Sequence, residues 1–575
     1  MTSPRRNLLH RAARNPRTSL AIAAAAAVCL AATTTVTTAA WVDNEWAAGS
    51  VGVGSPGDCA TNTLFSGEAS ATQLTGSVLG TDLNSVAGVE GLTVTNVDGA
   101  VSPLPLTATP VTGVPDAFIS KLPVTALGAN PVTAGLGLGL PVGGLGTYTQ
   151  WAQAQDSGQT RAAAGLVTDQ SGAVDVGGTA TGANTAPQAA TISLGNVVPG
   201  SLAGVTLDVG AVASSASVQA CDLINGWPTL AATPAVAREY GIASLNLRTS
   251  VPAIGALSRS GESQLDDVSN QLTALVAPGA LTTAISSGLN SLLDPVLGLL
   301  DSSASTTATL SAPSLGAVRA LMEETLVDNE NTVAVDLAAG TVRIDIAALT
   351  DGTLGLNRQV ANHTVLDSTV TGKATAKVTQ LLNQWEIRVA DALTAAIREA
   401  TIESRSVVTV VGTLGVPVAE IVVATGPLKL NDFLAGTAPP PLVTSKLLGL
   451  GIGGTLLNII HSTLTNGANG VIQDALRATI FTAGLVPQVG AGIDALVVDA
   501  GTVVGNLLSS ISSLVSVHVN VQPDKPWAGV KPADVSAKAG EYKVSAVRIG
   551  VINDPEPLSL SLGTSSAGPV NYRPS

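Results

Sequence analysis

Val333-Ala334-Val335-Asp336-Leu337-Ala338-Ala339-Gly340-Thr341-Val342-Arg343-Ile344-Asp345-Ile346 reads as a β-hairpin. Val333, Val335 and Leu337 alternate with other residues along one arm, and Val342, Ile344 and Ile346 along the other. Ala338-Ala339-Gly340 is the loop, with Gly340 suited to the left-handed backbone of a bulged turn. Across Ala374–Glu399 the apolar period turns helical. Val378, Leu381, Leu382, Trp385, Val389, Leu393, Ala396 and Ile397 make one stripe, while Glu386, Arg388, Asp391, Arg398 and Glu399 lie mostly around the other side. A hairpin beside a core-facing helix is an α+β arrangement.

Working outward, a helix is expected over Glu262–Val276, where Leu265, Val268, Leu272 and Leu275 share a face before Pro278-Gly279. Another is expected over Leu315–Val327, with Leu315, Val318 and Leu321/Met322 inward, and apolar helices follow Pro439-Pro440-Pro441 through 447–515. Strands are expected at Val407–Val411, at Val416–Ala424, near Val515–Val521, and at Tyr542–Ile552 and Leu558–Leu562. Residues 41 to about 255 carry short alternating stretches instead, such as 91–95 and 204–209, with Gly, Pro, Asn and Asp between them. That spacing predicts a sandwich or a large twisted sheet. The Gly135–Pro141 run is too apolar for a flexible linker and reads as an irregular strand or loop packed on the sheet. The fold class is therefore α+β: a β-rich N-terminal region and a mixed helix/antiparallel-sheet remainder. The expected division is 1–40 signal peptide, 41–255 β-rich region, 256–535 α+β region with long amphipathic helices, and 536–575 C-terminal strand pair and tail.

Of 575 residues, 45% are hydrophobic, 12% charged and 2% aromatic, which is opposite to a disordered composition. The net charge of −14 and the lack of basic clusters argue against nucleic acid as a partner. Residues 1–40 hold Arg5, Arg6, Arg11, Arg14 and Arg17 and no acid; an uncharged run from Thr18 to Ala40 ends in Thr38-Ala39-Ala40. This is the pattern of a secretory signal peptide, with cleavage expected between Ala40 and Trp41. The rival is an uncleaved anchor, since the run is long enough to span a bilayer; both keep the arginines inside and the bulk of the protein outside. Pro4 and the polar residues 10–19 weaken a twin-arginine reading of Arg5-Arg6, and Val28 before Cys29 argues against lipidation. Past residue 40 no stretch reads as a convincing membrane span, and the C-terminus carries no recognisable anchor. The expectation is therefore release, or loose association with the envelope.

Removal of residues 1–40 leaves 22 Lys and Arg against 41 acids, a charge of −19, and two cysteines, Cys59 and Cys221. An even count in an exported chain predicts a disulfide; two free buried thiols are the alternative.

Residues with chemical potential are few. Gly449-Leu450-Gly451-Ile452-Gly453-Gly454, with Asp474 twenty residues on, has dinucleotide-loop spacing, but the preceding Pro-rich segment makes the required strand doubtful. His363, His461 and His518 form neither an H-E-x-x-H motif nor an i, i+4 pair. No G-x-S-x-G elbow occurs. Glu323-Glu324 and Asp266-Asp267 fall on helix faces, where solvated charge is the ordinary reading. Asp43-Asn44-Glu45 and Asp328-Asn329-Glu330-Asn331 are oxygen-rich clusters without the spacing of a calcium loop, and read as turns or caps. No catalytic residue, cofactor-binding residue or metal ligand is assigned.

Trp41-Val42-Asp43-Asn44-Glu45-Trp46, Cys59 and Leu79-Gly80-Thr81-Asp82-Leu83 resemble the opening of the actinobacterial "choice-of-anchor G" proteins. Val124-Thr125-Ala126-Leu127-Gly128, Glu239-Tyr240-Gly241-Ile242, Val335-Asp336-Leu337 with Gly340-Thr341-Val342, Ser545-Ala546-Val547-Arg548-Ile549-Gly550 and Gly568-Pro569 continue the resemblance. Their order along residues 41–570 carries it. The resemblance implies an exported protein of Gram-positive actinobacteria, held at the surface by one of several interchangeable C-terminal anchors, with no established catalysis. The present chain departs from that pattern at its C-terminal end.

The reading is a secreted or cell-surface, non-enzymatic protein, suited to adhesion or to envelope or matrix structure; its partner is unknown, with an envelope polymer or a second copy as candidates. The alternative is an extracellular hydrolase of wall polysaccharide, which clustered acids beside Trp151 or Trp385 in a cleft would favour and a buried Trp385 would disfavour. A self-assembling layer protein is a third reading.

Overall fold

A computed structural model describes residues 58–61, 64–78, 81–83, 90–123, 138–139, 147–176, 189–194, 204–276, 279–298, 300–350, 355–448, 453–551 and 557–573. The fold is α+β, and every strand pairing among the described residues is antiparallel.

The hairpin at 333–346 forms in the expected register. Val333 pairs with Ile344 and Val335 with Val342, and the six alternating apolar residues are all buried. Gly340 has φ +65°, and a Cβ there would press to 3.1 Å on the backbone nitrogen of Gly255, so the turn needs glycine on both counts. Asp336 completes the turn by accepting the Ala339 N–H at 2.7 Å. These strands belong to a seven-stranded central sheet ordered 325–327, 333–336, 341–345, 245–250, 206–209, 190–193 and 138–139.

Five long helices cover the sheets: α1 (Pro252–Val276), α2 (Ala280–Leu297), α3 (Ser368–Glu399), α4 (Gly454–Leu476) and α5 (Leu485–Leu514). Helix α3 starts six residues before the expected span because Asp367 caps it, its carboxylate accepting the Thr369 and Val370 N–H groups at 2.9 Å. Its stripe is buried from Val370 to Ile397, and the Trp385 indole N–H donates to the Leu321 carbonyl at 2.6 Å. By length and composition α1–α2 and α4–α5 would suffice to cross a membrane. Each nevertheless presents a buried stripe, such as Val489, Ile493, Val497, Val504 and Leu508 on α5, with polar residues such as Asp494, Asp499 and Asn506 exposed. That is the pattern of a helix packed on a core.

Several local expectations are corrected. Leu315–Val327 is not one helix: Gly316–Met322 is helical, and Thr325–Val327 joins the edge of the central sheet opposite 334–336, where β-branched residues fit the pleat. A strand at Asp301–Leu310 was not expected; its alternating Ser, Thr and Ala edge a four-stranded sheet ordered 301–310, 401–411, 417–429 and 442–447, backed mainly by α2. The last strand continues well past Leu562, to Tyr572.

Two further sheets make a sandwich. An eight-stranded terminal sheet runs 363–364, 515–521, 542–551, 558–572, 65–78, 92–97 and 100–104, with 81–82 on the strand Phe65–Val78. It packs against a six-stranded sheet ordered 227–242, 212–224, 159–165, 147–154, 117–123 and 109–110. The buried contact is rich in small side chains: Ala69, Ala71, Leu92 and Val94 on one side, Ala152, Ala154, Ala162 and Ala164 on the other. Ser214 and Ser565 share a 2.7 Å hydrogen bond directly across the layers. The strand pair 542–551 and 558–572 lies inside this terminal sheet, flanked by 515–521 on one side and 65–78 on the other, so the sheet runs across the boundary drawn at 535/536.

Trp385→Ala removes a fully buried indole and its hydrogen bond, and is expected to destabilise the fold by about 3–5 kcal/mol in urea unfolding. Trp227→Ala, at a side chain 74% exposed, should stay within about 0.5 kcal/mol.

Candidate functional site

Three arrangements gather polar or reactive groups. The first lies on the terminal sheet, where His518 on strand 515–521 sits opposite Arg548 on strand 542–551. The Arg548 side chain is fully buried. Its Nε and Nη2 donate to the two oxygens of Asp534 at 2.9 and 2.7 Å, and the Ser559 hydroxyl donates to the same carboxylate at 2.5 Å. Burial alone would raise the Asp534 pKa, but the bonds from Arg548 and Ser559 and the guanidinium charge outweigh it and hold the carboxyl below its ordinary range. His518 packs against Trp527 with ring centroids 4.6 Å apart and planes tilted by 39°, and among the described residues its Nδ1 has no hydrogen-bond partner. Burial first, then the positive charge of Arg548, lower its pKa to about 4, so the ring is neutral at pH 7.

Beside this cluster Asn362 donates to the carbonyls of Gln522 and Pro526 at 3.0 Å and accepts the Gln522 N–H at 2.7 Å. Asn362 and Asp534 together fasten the segment between strands 515–521 and 542–551 onto the sheet. The Ser559 hydroxyl is committed to a carboxylate rather than to an imidazole, which is the wrong connection for activating a serine nucleophile. The cluster is a structural clamp.

The second arrangement is a groove of about 440 Å³ on the central sheet. Cross-strand register aligns Thr206, Arg248, Arg343 and Ala334 in one row and Ser250, Thr341, Asp336 and Thr325 in the next. The side chain of Arg248, 62% exposed, pairs with Asp208 at 2.5 Å, and Arg343 donates to Asn331 Oδ1 at 2.7 Å. The surface offers the hydroxyls of Thr206, Ser250, Thr325 and Thr341, two guanidinium groups and the Asp336 carboxylate on a solvated pleat.

The third is covalent. Cys59 and Cys221 form a disulfide with Cα atoms 5.8 Å apart across a sequence separation of 162. Cys221 lies near the tip of the hairpin 212–224/227–242, whose two-residue turn is Asn225-Gly226, both at positive φ. Ile224-Asn225-Gly226-Trp227 is a strong hairpin signal that went unread in the sequence. Beside it Leu223, Ile224, Trp227 and Leu230 are exposed.

The other sequence candidates disperse. Trp151 and Trp385 are both in the core, with the Arg161 guanidinium over the Trp151 ring at 5.1 Å. Asp266 pairs with Arg319 and Glu324 with Arg388, on the surface. Asp328 accepts from Thr332 N–H and hydroxyl, Val333 N–H and Lys377; these bonds overcome burial and lower its pKa to about 2, making it a turn anchor. A strand does precede the glycine run, at Leu442–Leu447, but it pairs antiparallel at a sheet edge, whereas a dinucleotide loop needs a parallel βαβ unit. Gly449 to Ile452 lie outside the described residues, as do Ala40, Trp41 and Asp43-Asn44-Glu45. His461 donates from Nε2 to the Val443 carbonyl at 2.9 Å, and His363 lies on the short strand beside His518. Among the described residues no group of three His, Cys, Asp or Glu is placed to hold a metal ion.

The model of the family described as "Domain of unknown function (DUF8394)" matches residues 69–568, from inside the first long strand to inside the last. The chain belongs to the DUF8394 family. No curated protein and no solved structure matches it. The DUF8394 match takes in the clamp, the groove and Cys221, and leaves Cys59 just outside.

A His518 pKa lowered to about 4, against about 6.5 unfolded, means that the unfolded state binds the extra proton between those values. The His518 contribution is therefore full above pH 6.5 and is lost as pH falls toward 4, by up to about 3 kcal/mol. His518→Phe should flatten that limb in urea unfolding at pH 4 to 7, leaving the steeper loss below pH 4 that comes with protonation of Asp534 and Asp328.

Proposed function

We propose that this DUF8394 protein is exported and works without catalysis at or beyond the surface of a Gram-positive actinobacterium, in adhesion or in envelope or matrix structure. The Cys59–Cys221 disulfide carries the reading, because such bonds persist in oxidising, extracytoplasmic compartments. The basic, then uncharged first forty residues and the resemblance to choice-of-anchor G proteins point the same way. The Thr/Ser/Arg surface of the central sheet supplies a contact face of the kind that meets a hydroxylated envelope polymer. With Trp151 and Trp385 in the core, neither indole is available as a sugar platform, and the hydrolase reading loses the feature that would have favoured it.

Fractionation of producing cells into medium, wall and membrane, with N-terminal sequencing and non-reducing peptide mapping, tests the proposal. The expected result is a chain outside the cytoplasm that begins at Trp41 and contains a Cys59–Cys221 peptide pair. A reduced, cytoplasmic chain would sink it. In the loop-entropy picture Cys59→Ser with Cys221→Ser costs about 5 kcal/mol, an upper-end value for so long a loop, read as a fall in the urea midpoint.

A further inference from the structure

The segment from Gln522 to Glu541 crosses the terminal sheet without entering it. It contains no helix or strand, and from Asp524 to Gly540 only Val535 is buried, with Trp527 and Pro532 half-buried. Among the described residues its backbone–backbone hydrogen bonds all close on itself, such as Lys525 to Gln522, Val535 to Pro532 and Glu541 to Lys538. Side chains therefore hold it down. Asn362 and Asp534 fasten it as described above, Arg238 donates to Asp524 at 2.9 Å, and the Ser566 hydroxyl donates to Glu541 at 2.6 Å. A stretch with one buried apolar residue and no ladder bonds can open by itself, because little packing is lost when it does.

Beneath it lie groups that rarely leave water. His518, Arg548 and Ser561 stand in one cross-strand row; Arg548 is fully buried and His518 nearly so. Around the imidazole are Arg548 and His363 on the two neighbouring strands, and Asp534 and Trp527 on the segment itself. Lifting the segment takes Trp527 off the ring and admits water. It also removes the Asp534 carboxylate, but burial is the larger influence on the ring, so the uncovered imidazole protonates more readily than the covered one.

We propose that residues 522–541 form a strap that mild acid releases from the terminal sheet, with His518 taking up the proton, while the body of the fold stays closed. Release draws Asp524 and Asp534 off Arg238 and Arg548 and bares both guanidinium groups beside the His518 cation.

The size and sign follow from linkage. His518 titrates at about 4 under the strap and at about 6.5 when free, so the open form binds the extra proton between those values. Opening therefore rises about twentyfold from pH 7 to pH 5. Burial would raise the carboxyls of Asp524, Asp534 and Glu541, but the bonds from Arg238, from Arg548 and Ser559, and from Ser566 outweigh it and hold all three below their ordinary ranges. They stay charged across this window and loosen the strap only in stronger acid.

The test is native-state hydrogen exchange of the disulfide-bonded protein, read by mass spectrometry at pH 7 and pH 5 over a range of low urea concentrations. Peptides within 522–541 should lose protection about twentyfold between the two pH values. Their exchange should not respond to urea, since local opening exposes little surface, whereas peptides from 65–78 and 558–572 should follow the urea dependence of global unfolding. In His518→Phe the pH effect on the strap should vanish. His518→Gln serves if that variant does not fold, and the urea dependence of the wild type needs no variant. Four results overturn the proposal: a strap unprotected already at pH 7, equal protection at pH 7 and pH 5, strap exchange that follows urea in parallel with the terminal strands, or a pH effect that survives replacement of His518.

Discussion

The antiparallel pairing of Phe65–Val78 with Leu558–Tyr572 is the constraint on which the rest of the structure depends. It joins the two ends of the described chain along twelve paired positions, from Phe65 with Tyr572 to Val78 with Leu558. Everything between must then fit within a closed loop of nearly five hundred residues, so the ordering entropy is met only when many elements are in place together. One hydrophobic cluster accordingly runs from Leu74 through the helices to Ala567. The family match begins and ends inside these two strands, so the closing pair belongs to what the family shares.

Polar groups are buried in this molecule where they tie segments together. Arg548, Asp534 and Ser559 clamp a connection onto the terminal sheet, and Asn362 fastens the same connection from the neighbouring strand. Tyr240 does the equivalent for the segment around Leu356, donating to its carbonyl at 2.6 Å and accepting the Gln359 N–H at 2.9 Å. Burying a guanidinium gains little over an apolar replacement, yet breaking the pair leaves an uncompensated charge, so such contacts specify one arrangement more than they add stability. The irregular connections need that specification, because their apolar content is too low to position them.

The surfaces divide by chemistry. The central sheet presents hydroxyls and arginines on a flat pleat, while the hairpin tip presents leucine, isoleucine and tryptophan on both faces of a ribbon held by a disulfide.

The elements were legible in the sequence where period and burial coincide. The hairpin at 333–346 and the stripe of Ser368–Glu399 are local patterns, and each has one face that must leave water. The cysteine pair was legible from count and compartment. The Ser-, Thr- and Ala-rich strand Asp301–Leu310 was not, because its pairing with 401–411 is what makes it a strand. The clamp was not legible either: Arg548, Asp534 and Ser559 are ordinary surface residue types until three separated segments bring them within hydrogen-bonding distance. By itself the sequence determined the α+β class and the stripe of the helix Ser368–Glu399, since these follow from periodicity, and it led to the pairing of Cys59 with Cys221 once Cys29 is assigned to the first forty residues; the helix Ala280–Leu297 was not read from it. Tertiary structure alone decided that the two ends of the described chain share one sheet, that Trp151 is buried, and that an apolar hairpin tip stands exposed, because burial is a property of what packs on a residue and not of the residue itself.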